Sequence, residues 1–237
     1  AGHPTPPPFM PDELPVLSRS VEDYLKVIYG LSEKGKAAST SQIALSLDVQ
    51  PASVSGMIKR LAESGYVEHA PYRGVRLSLE GTREALRIIR RHRILETYLS
   101  QRLGYSWGDV HEEAERLEHA ASDDLIDRMA RALEDPRHDP HGAPIPTREG
   151  RVETTDHQTL ADVNPGERVQ IRAVADDNPD RLRYLEARGL LPGVILSVDA
   201  RAPFNGPITI RVGGSTALQT IGCELATRIR VAGSQSQ

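Results

Sequence analysis

The chain has 237 residues, of which 26 % are charged and 38 % hydrophobic, and a formal net charge of -4. That length predicts two or three domains, and the composition a soluble, globular protein. No apolar run approaches a membrane span, and the amino terminus lacks the basic-then-apolar layout of a signal peptide, so a cytoplasmic location is expected. The single cysteine, Cys223, excludes an internal disulfide and a CxxC site, which leaves His, Asp and Glu to hold any metal.

Residues 1–18 carry Pro4, Pro6, Pro7, Pro8, Pro11 and Pro15 and read as a disordered tail or tag remnant. A winged helix-turn-helix is expected over 19–80. Ser20 is positioned to cap a first helix whose apolar stripe is Tyr24, Val27, Ile28 and Leu31. Thr40 to Leu47 forms a short second helix, and Pro51 opens a third, where its missing N–H costs nothing. Val54, Met57, Ile58 and Leu61 face inward, and Gly65 ends that helix. Tyr66–His69 and Val75–Leu79 form a hairpin around Pro71-Tyr72-Arg73-Gly74.

A helical domain is expected over 81–136. Gly81 to Leu103 is one long helix, and a box-like pair, Ser106 and Asp109, opens another through Leu133, with Val110, Ala114, Leu117 and Ala121 as its apolar stripe. Residues 137–156, rich in Asp, Pro, Gly and His, are assigned to a linker, with His138 and His141 read as solvated loop residues. From 157 to 232 short strand-like runs (Arg168–Ala175, Val194–Ala200, Ile208–Val212, Ala226–Val231) and a helix from Asp180 to Arg188 predict a small β-barrel. The fold class is thus mainly α with a small β part.

Charge is unevenly spread. Arg19 to Leu103 holds 14 Lys/Arg against 9 Asp/Glu, whereas Gly104 to Pro140 holds 4 against 11. A basic block followed by an acidic one suits a nucleic-acid face followed by a cation site, although two solvated surfaces would show the same asymmetry. On the third helix Gln50, Pro51, Ala52, Ser53, Ser55 and Gly56 offer small or amide side chains to a major groove, and Lys59 and Arg60 can reach phosphates. Thr40 and Ser41 begin a helix, where backbone N–H groups favour a phosphate. Arg73 and Arg76 suit a wing lying along the duplex.

His111, Glu115, Glu118 and His119 recur at i, i+4, i+7 and i+8, which on a helix places them on one face. His92 and Glu96 stand at i, i+4 on the preceding helix, and Asp23 on the first. A solvated polar stripe has the same spacing. Brought together, such carboxylates repel, and a divalent ion reverses that balance.

These residues resemble the diphtheria-toxin-repressor and manganese-transport-regulator family. The matching stretches are Ser20-Val21-Glu22-Asp23-Tyr24-Leu25, the helix-turn-helix, His92 with Glu96, His111 through His119, and Pro140-His141-Gly142-Ala143-Pro144-Ile145-Pro146. Thr159–Gly166 and Leu190-Leu191-Pro192-Gly193 are similar to the SH3-like FeoA-type domain. The resemblance implies a primary metal site at Asp23, Glu115, Glu118 and His119. It implies an ancillary site at His92, Glu96 and His111, to which a barrel position near Asp176 and Asp177 contributes. The iron-responsive branch has methionine and cysteine where this chain has Asp23 and Glu115. Carboxylates there harden the site toward Mn²⁺, with Fe²⁺ and other divalent metals as alternatives. Lys26 stands where the barrel-less manganese branch has a glutamate, so a second ion would be completed differently.

The resemblance further implies a homodimer that binds palindromic operator DNA, with half-sites about one helical turn or a multiple apart. A non-enzymatic repressor of metal-uptake genes is the expectation. Two rival readings are a dinuclear carboxylate metalloenzyme, for which no separate nucleophile or general-base motif is visible, and a winged-helix regulator that senses an organic ligand.

Overall fold

The computed structural model of the protein describes residues 17–32, 36–70, 74–153, 157–175 and 178–233. It divides into two compact units, Ala1–Ala85 and Leu86–Gln237, with the boundary inside helix α4 (Leu79–Leu103).

In the first unit α1 (Arg19–Leu31) buries Val21, Tyr24, Leu25 and Ile28 along one stripe. Its cap is Ser18, not Ser20. The Ser18 carbonyl accepts from Val21 N and Glu22 N at 2.9 and 3.1 Å, which puts Ser20 inside the first turn. α2 (Thr40–Leu47) is only eight residues long and starts with a capping box, in which Gln42 N–H donates to Ser39 Oγ at 3.1 Å and Ser39 N–H to Gln42 Oε1 at 3.0 Å. So short a helix is marginal by itself. Ser39→Ala is therefore expected to cost about 1 kcal/mol in thermal or denaturant unfolding.

Asp48 ends α2 in the left-handed region, φ 51°. α3 (Pro51–Glu63) follows with proline in its first turn and Val54, Ile58 and Leu61 buried. Strands β1 (Val67–Ala70) and β2 (Gly74–Leu77) pair antiparallel, and β2 also bridges Ala38 through Val75. α1, α2, α3 and this hairpin close on one apolar core. The start of α4 packs so tightly that a Cβ on Gly81 would lie 2.0 Å from the Tyr66 carbonyl oxygen.

In the second unit the helix expected from Ser106 to Leu133 is two. α5 (Val110–Leu117) stops, residues 118–122 turn, and α6 (Asp123–Ala132) begins afresh. The restart has a local cause: Ser122 Oγ accepts from Leu125 N at 3.3 Å, and Asp123 and Asp124 complement the helix dipole. Asp123 also meets Arg91 at 2.9 Å. Leu117, expected inside, is 37 % exposed, because the eight-residue α5 turns inward only at Val110 and Ala114.

Residues 137–146 run as a strap. Ile145 N donates to Arg137 O at 2.8 Å, closing its base, and Ile145 is buried. Beyond it lies one antiparallel sheet in the order β3-β8-β4-β5-β6-β7. Its members are β3 (Gln158–Thr159), β4 (Arg168–Val174), β5 (Ile195–Arg201), β6 (Ile208–Val212), β7 (Leu218–Ile221) and β8 (Ile229–Gly233). Register shifts between Ile171/Ala173 and Val198/Ala200 bend β4 and β5. β3 and β7 were not anticipated, and the strand expected from Ala226 is preceded by a short helix, α8 (Cys223–Ala226). α7 (Pro179–Ala187) covers the sheet with Leu182 and Leu185. Trp107, from the turn before α5, is part of this sheet's core, and Arg183 of α7 meets Asp109 at 2.8 Å. Cys223 is half-buried against the same core.

Candidate metal centre and nucleic-acid interface

α4 presents His92 and Glu96 one turn apart, facing α5 and the turn after it. His92 Nδ1 lies 2.6 Å from Glu118 Oε2 and its Nε2 2.9 Å from Glu96 Oε1. His111 Nδ1 is 3.1 Å from both His92 Nε2 and Glu96 Oε1. Glu115 Oε1 approaches the two imidazoles at 3.7 and 3.8 Å. Glu115, Glu118 and His119 each offer a ligand atom within 4.8 Å of the others. His92, Glu96, His111, Glu115, Glu118 and His119 therefore converge. The convergence does not come from one helical face: Glu118 and His119 fall past the end of α5, where the chain turns.

The cluster concentrates buried negative charge beside imidazole nitrogens. Glu118 and Glu96 are almost fully buried, with side chains 0 % and 3 % exposed. A buried carboxylate without compensation costs several kcal/mol. Both ring nitrogens of His92 meet a carboxylate oxygen, an arrangement that a doubly protonated ring, a protonated carboxyl at one side or a bound cation satisfies. Burial would raise the Glu96 carboxyl. The charge of His92 and the contacts with His111, His141 and His92 outweigh burial and hold it well below the usual carboxylate range.

His141 does not behave as a solvated loop residue. It is 6 % exposed, its Nε2 lies 3.1 Å from the Trp107 carbonyl oxygen, and its Nδ1 faces Glu96 Oε2 at 3.7 Å. The carbonyl requires Nε2 to donate, so in the neutral ring Nδ1 is the free lone pair. Asp139, which sequence reasoning missed, completes a second cluster of Glu96, Asp139 and His141, all buried. Its Oδ1 accepts from His141 N and Ala143 N, at 2.8 and 2.9 Å, and Oδ2 faces Arg93 Nε at 3.5 Å. Burial, then Glu96, push the Asp139 carboxyl up. Burial would lower His141, but Glu96 and Asp139 raise it on balance. The only signal for these two residues was the Asp-x-His spacing inside a proline-rich run. His138 is a surface residue, 3.9 Å from Glu153.

Asp23 sits half-buried on α1 of the first unit, 4.0 Å from Arg19. Asp176 and Asp177 lie outside the described residues, as does Arg73. On the helix-turn-helix, Gln50, Pro51, Ala52, Ser53, Ser55, Gly56, Lys59 and Arg60 are all exposed along α3, while Val54, Ile58 and Leu61 face the core. Ser55 Oγ donates to Pro51 O at 3.2 Å, and Lys59 lies 4.0 Å from Glu63, a pair exposed enough to be worth little. Ser41 is exposed and Thr40 half-buried at the start of α2, and Arg76 is exposed on β2.

A winged helix-turn-helix unit, joined in one chain to a helical unit that gathers carboxylates and imidazoles, defines a metal-responsive DNA-binding regulator. Family models bear on each part. "Iron dependent repressor, N-terminal DNA binding domain" matches residues 16–75, "Iron dependent repressor, metal binding and dimerisation domain" residues 78–147, and the FeoA domain residues 158–233. An uncharacterized HTH-type transcriptional regulator of Methanocaldococcus jannaschii is 37 % identical over 114 residues, 48 % of this chain and 91 % of that protein. The iron-dependent repressor IdeR of Mycobacterium tuberculosis is 35 % identical over 127 residues, 54 % of this chain and 55 % of that protein, so the match spans about half of it. A solved manganese-dependent transcriptional repressor in complex with manganese aligns with TM-score 0.84 and 38 % identity, over 90 % of this chain and 100 % of that one.

The chain belongs to the iron-dependent repressor family, the family of the diphtheria toxin repressor and the manganese regulators. It is a metal-dependent, DNA-binding, homodimeric transcriptional regulator with a carboxy-terminal SH3-like FeoA domain, and not an enzyme. Its metal is a divalent cation. Among the described residues no helix is long and apolar enough to cross a membrane.

Proposed function

We propose that this regulator is a manganese-responsive repressor of metal-uptake genes that binds a palindromic operator as a dimer in the cytoplasm. The observation that carries the metal reading is the buried Glu96–His92–Glu118 array, whose charge a bound cation would offset and which is built wholly from nitrogen and oxygen donors. Its carboxylates suit hard ions such as Mn²⁺, and its imidazoles also accept Fe²⁺ and Zn²⁺. The solved relative in complex with manganese supports Mn²⁺. The iron-dependent repressor among the relatives supports Fe²⁺ as the second reading.

The primary set is Asp23, Glu115, Glu118 and His119, in which Asp23 enters on the family's sequence pattern. The ancillary set is His92, Glu96 and His111, extended on its buried side by Asp139 and His141. A bound divalent ion supplies the positive charge that these converging carboxylates lack. His141 is fixed as a ligand by its Nε2 contact with the Trp107 carbonyl, a common way of holding a metal-binding imidazole in one tautomer. On the DNA side Gln50, Ala52, Ser53 and Ser55 address base edges, with Pro51 setting the helix start. Lys59, Arg60, Thr40, Ser41 and Arg76 address phosphates, which fix register without reading sequence.

Metal and operator then strengthen each other's binding by the same coupling, typically about 1–3 kcal/mol. The test is a gel shift on an operator selected from genomic DNA, titrated with Mn²⁺, Fe²⁺ and Zn²⁺. Asp23→Ala is expected to remove metal-dependent binding and leave the melting temperature of the metal-free protein unchanged. Undiminished manganese dependence in that variant would refute the role of Asp23.

A further inference from the structure

Between α4, α6, the strap and the segment 147–153 that follows it lies a cavity of about 580 Å³ that the metal and DNA sites do not use. Its lining includes four arginines, Arg90, Arg137, Arg148 and Arg151, against two acids, Asp135 and Glu153. Its accessible apolar lining is Pro136, Ile145 and Val152. The arginines are not equivalent. Arg90 and Arg148 share Asp127, at 3.6 and 2.9 Å, and Arg90 also donates to Pro146 O at 3.0 Å. Arg137 and Arg151 form no salt bridge with any described residue within 4.0 Å, and Arg151 acts on the exposed Glu149 carboxylate only through its charge. Glu153 lies by His138, on the exposed rim.

The walls are already ordered. Ile145 N–H donates to Arg137 O at 2.8 Å, and Thr147 N–H to Arg151 O at 2.8 Å, which fixes the backbones that carry these two guanidiniums. The volume falls in the range of sites for small organic ligands, about 300–1,000 Å³, and exceeds what a bare inorganic anion fills. Guanidinium forks recognise carboxylate and phosphate through paired N–H donors.

We propose that this cavity binds a small organic anion, its phosphate or carboxylate head held by Arg137 and Arg151 and its apolar body against Pro136, Ile145 and Val152. The site goes beyond metal sensing and does not depend on which metal is bound.

The test is titration calorimetry on the metal-free full chain at 0.15 M salt with phenyl phosphate, benzoate and neutral benzyl alcohol. One anion at least is expected to bind one-to-one, with benzyl alcohol binding at least tenfold more weakly. Phenyl phosphate or benzoate as the tighter probe distinguishes a phosphate ester from a carboxylate. R137A/R151A is expected to lose at least tenfold in affinity and to keep manganese-dependent operator binding, which shows that it is folded. R137K/R151K, which keeps the charge and loses the forks, is expected to fall between. Failure of both anions to bind overturns the proposal. So does equal binding of benzyl alcohol, or binding unchanged in both double variants.

Discussion

Glu96→Gln is expected to weaken Mn²⁺ binding by at least about 100-fold and to raise the metal concentration needed for operator binding in parallel. Even loss of an outer-sphere partner of a metal ligand typically costs about 10–100-fold, and Glu96 is more than that. Its Oε1 lies 2.9 Å from His92 and 3.1 Å from His111, and its Oε2 faces His141 at 3.7 Å. Glutamine keeps the shape but removes the charge. Its amide N–H₂ then points at an imidazole nitrogen that must present a lone pair to a cation. The fold is expected to survive, because glutamine keeps the volume of the side chain and one carbonyl acceptor for its neighbours. Calorimetric Mn²⁺ titration with the protein's circular dichroism as control decides it, and wild-type affinity would remove Glu96 from the site.

The metal-free protein carries a linked pH signature. Glu96 has a lowered folded pKa, so its contribution is present above the unfolded carboxylate value and is lost only as pH falls through the folded one. His141 and Asp139 are raised in the fold. Their contributions are complete below their unfolded values, and that of His141 is lost as pH rises from about 6.5 through its folded pKa. In chelator-treated protein stability is expected to decline on that alkaline side. Glu96→Gln removes the charge that raises His141 and part of what raises Asp139, whose burial remains, and is expected to flatten the decline.

What could be read from the sequence follows from how local each cause is. α1, α2, α3 and the long α4 carry apolar stripes at helical spacing, and Gly65 and Pro51 mark boundaries through backbone geometry alone. The break at residues 118–122 was also locally encoded, by Ser122 and the two aspartates after it. The i, i+4, i+7, i+8 spacing of His111, Glu115, Glu118 and His119 suggested one continuous helix and hid it. Two-residue β3, and β7 with Leu218 exposed, have too little pattern to announce themselves. Asp139 and His141 lie in a run whose composition is that of a solvated loop. Their burial is set by partners far away in the chain, Trp107 and the backbone of β4, and no local pattern reports those.

Gly142→Ala is expected to detach the strap from the sheet and to remove the Glu96–Asp139–His141 cluster without disturbing Glu115, Glu118 and His119. Gly142 has φ 86°, where an L side chain costs about 1–2 kcal/mol. A Cβ there would also stand 2.1 Å from Arg172 O and 2.8 Å from Ala173 Cα. These are backbone atoms of a central strand and cannot turn aside, so the strap must lift. Lifting breaks the bond from Val174 N–H to His141 O, 2.8 Å, and that from Trp107 Nε1–H to Pro140 O, 2.9 Å. With about 1 kcal/mol for each bond, the total is about 3–4 kcal/mol. Gly150→Ala is the control. Gly150 has φ 74°, but the nearest atom to its Cβ would be Leu86 Cδ1 at 3.9 Å, so only the backbone term applies. Hydrogen exchange should accelerate at the Val174 amide in Gly142→Ala and not in Gly150→Ala. Equal protection in both variants would show that the strap is held by something other than this close approach.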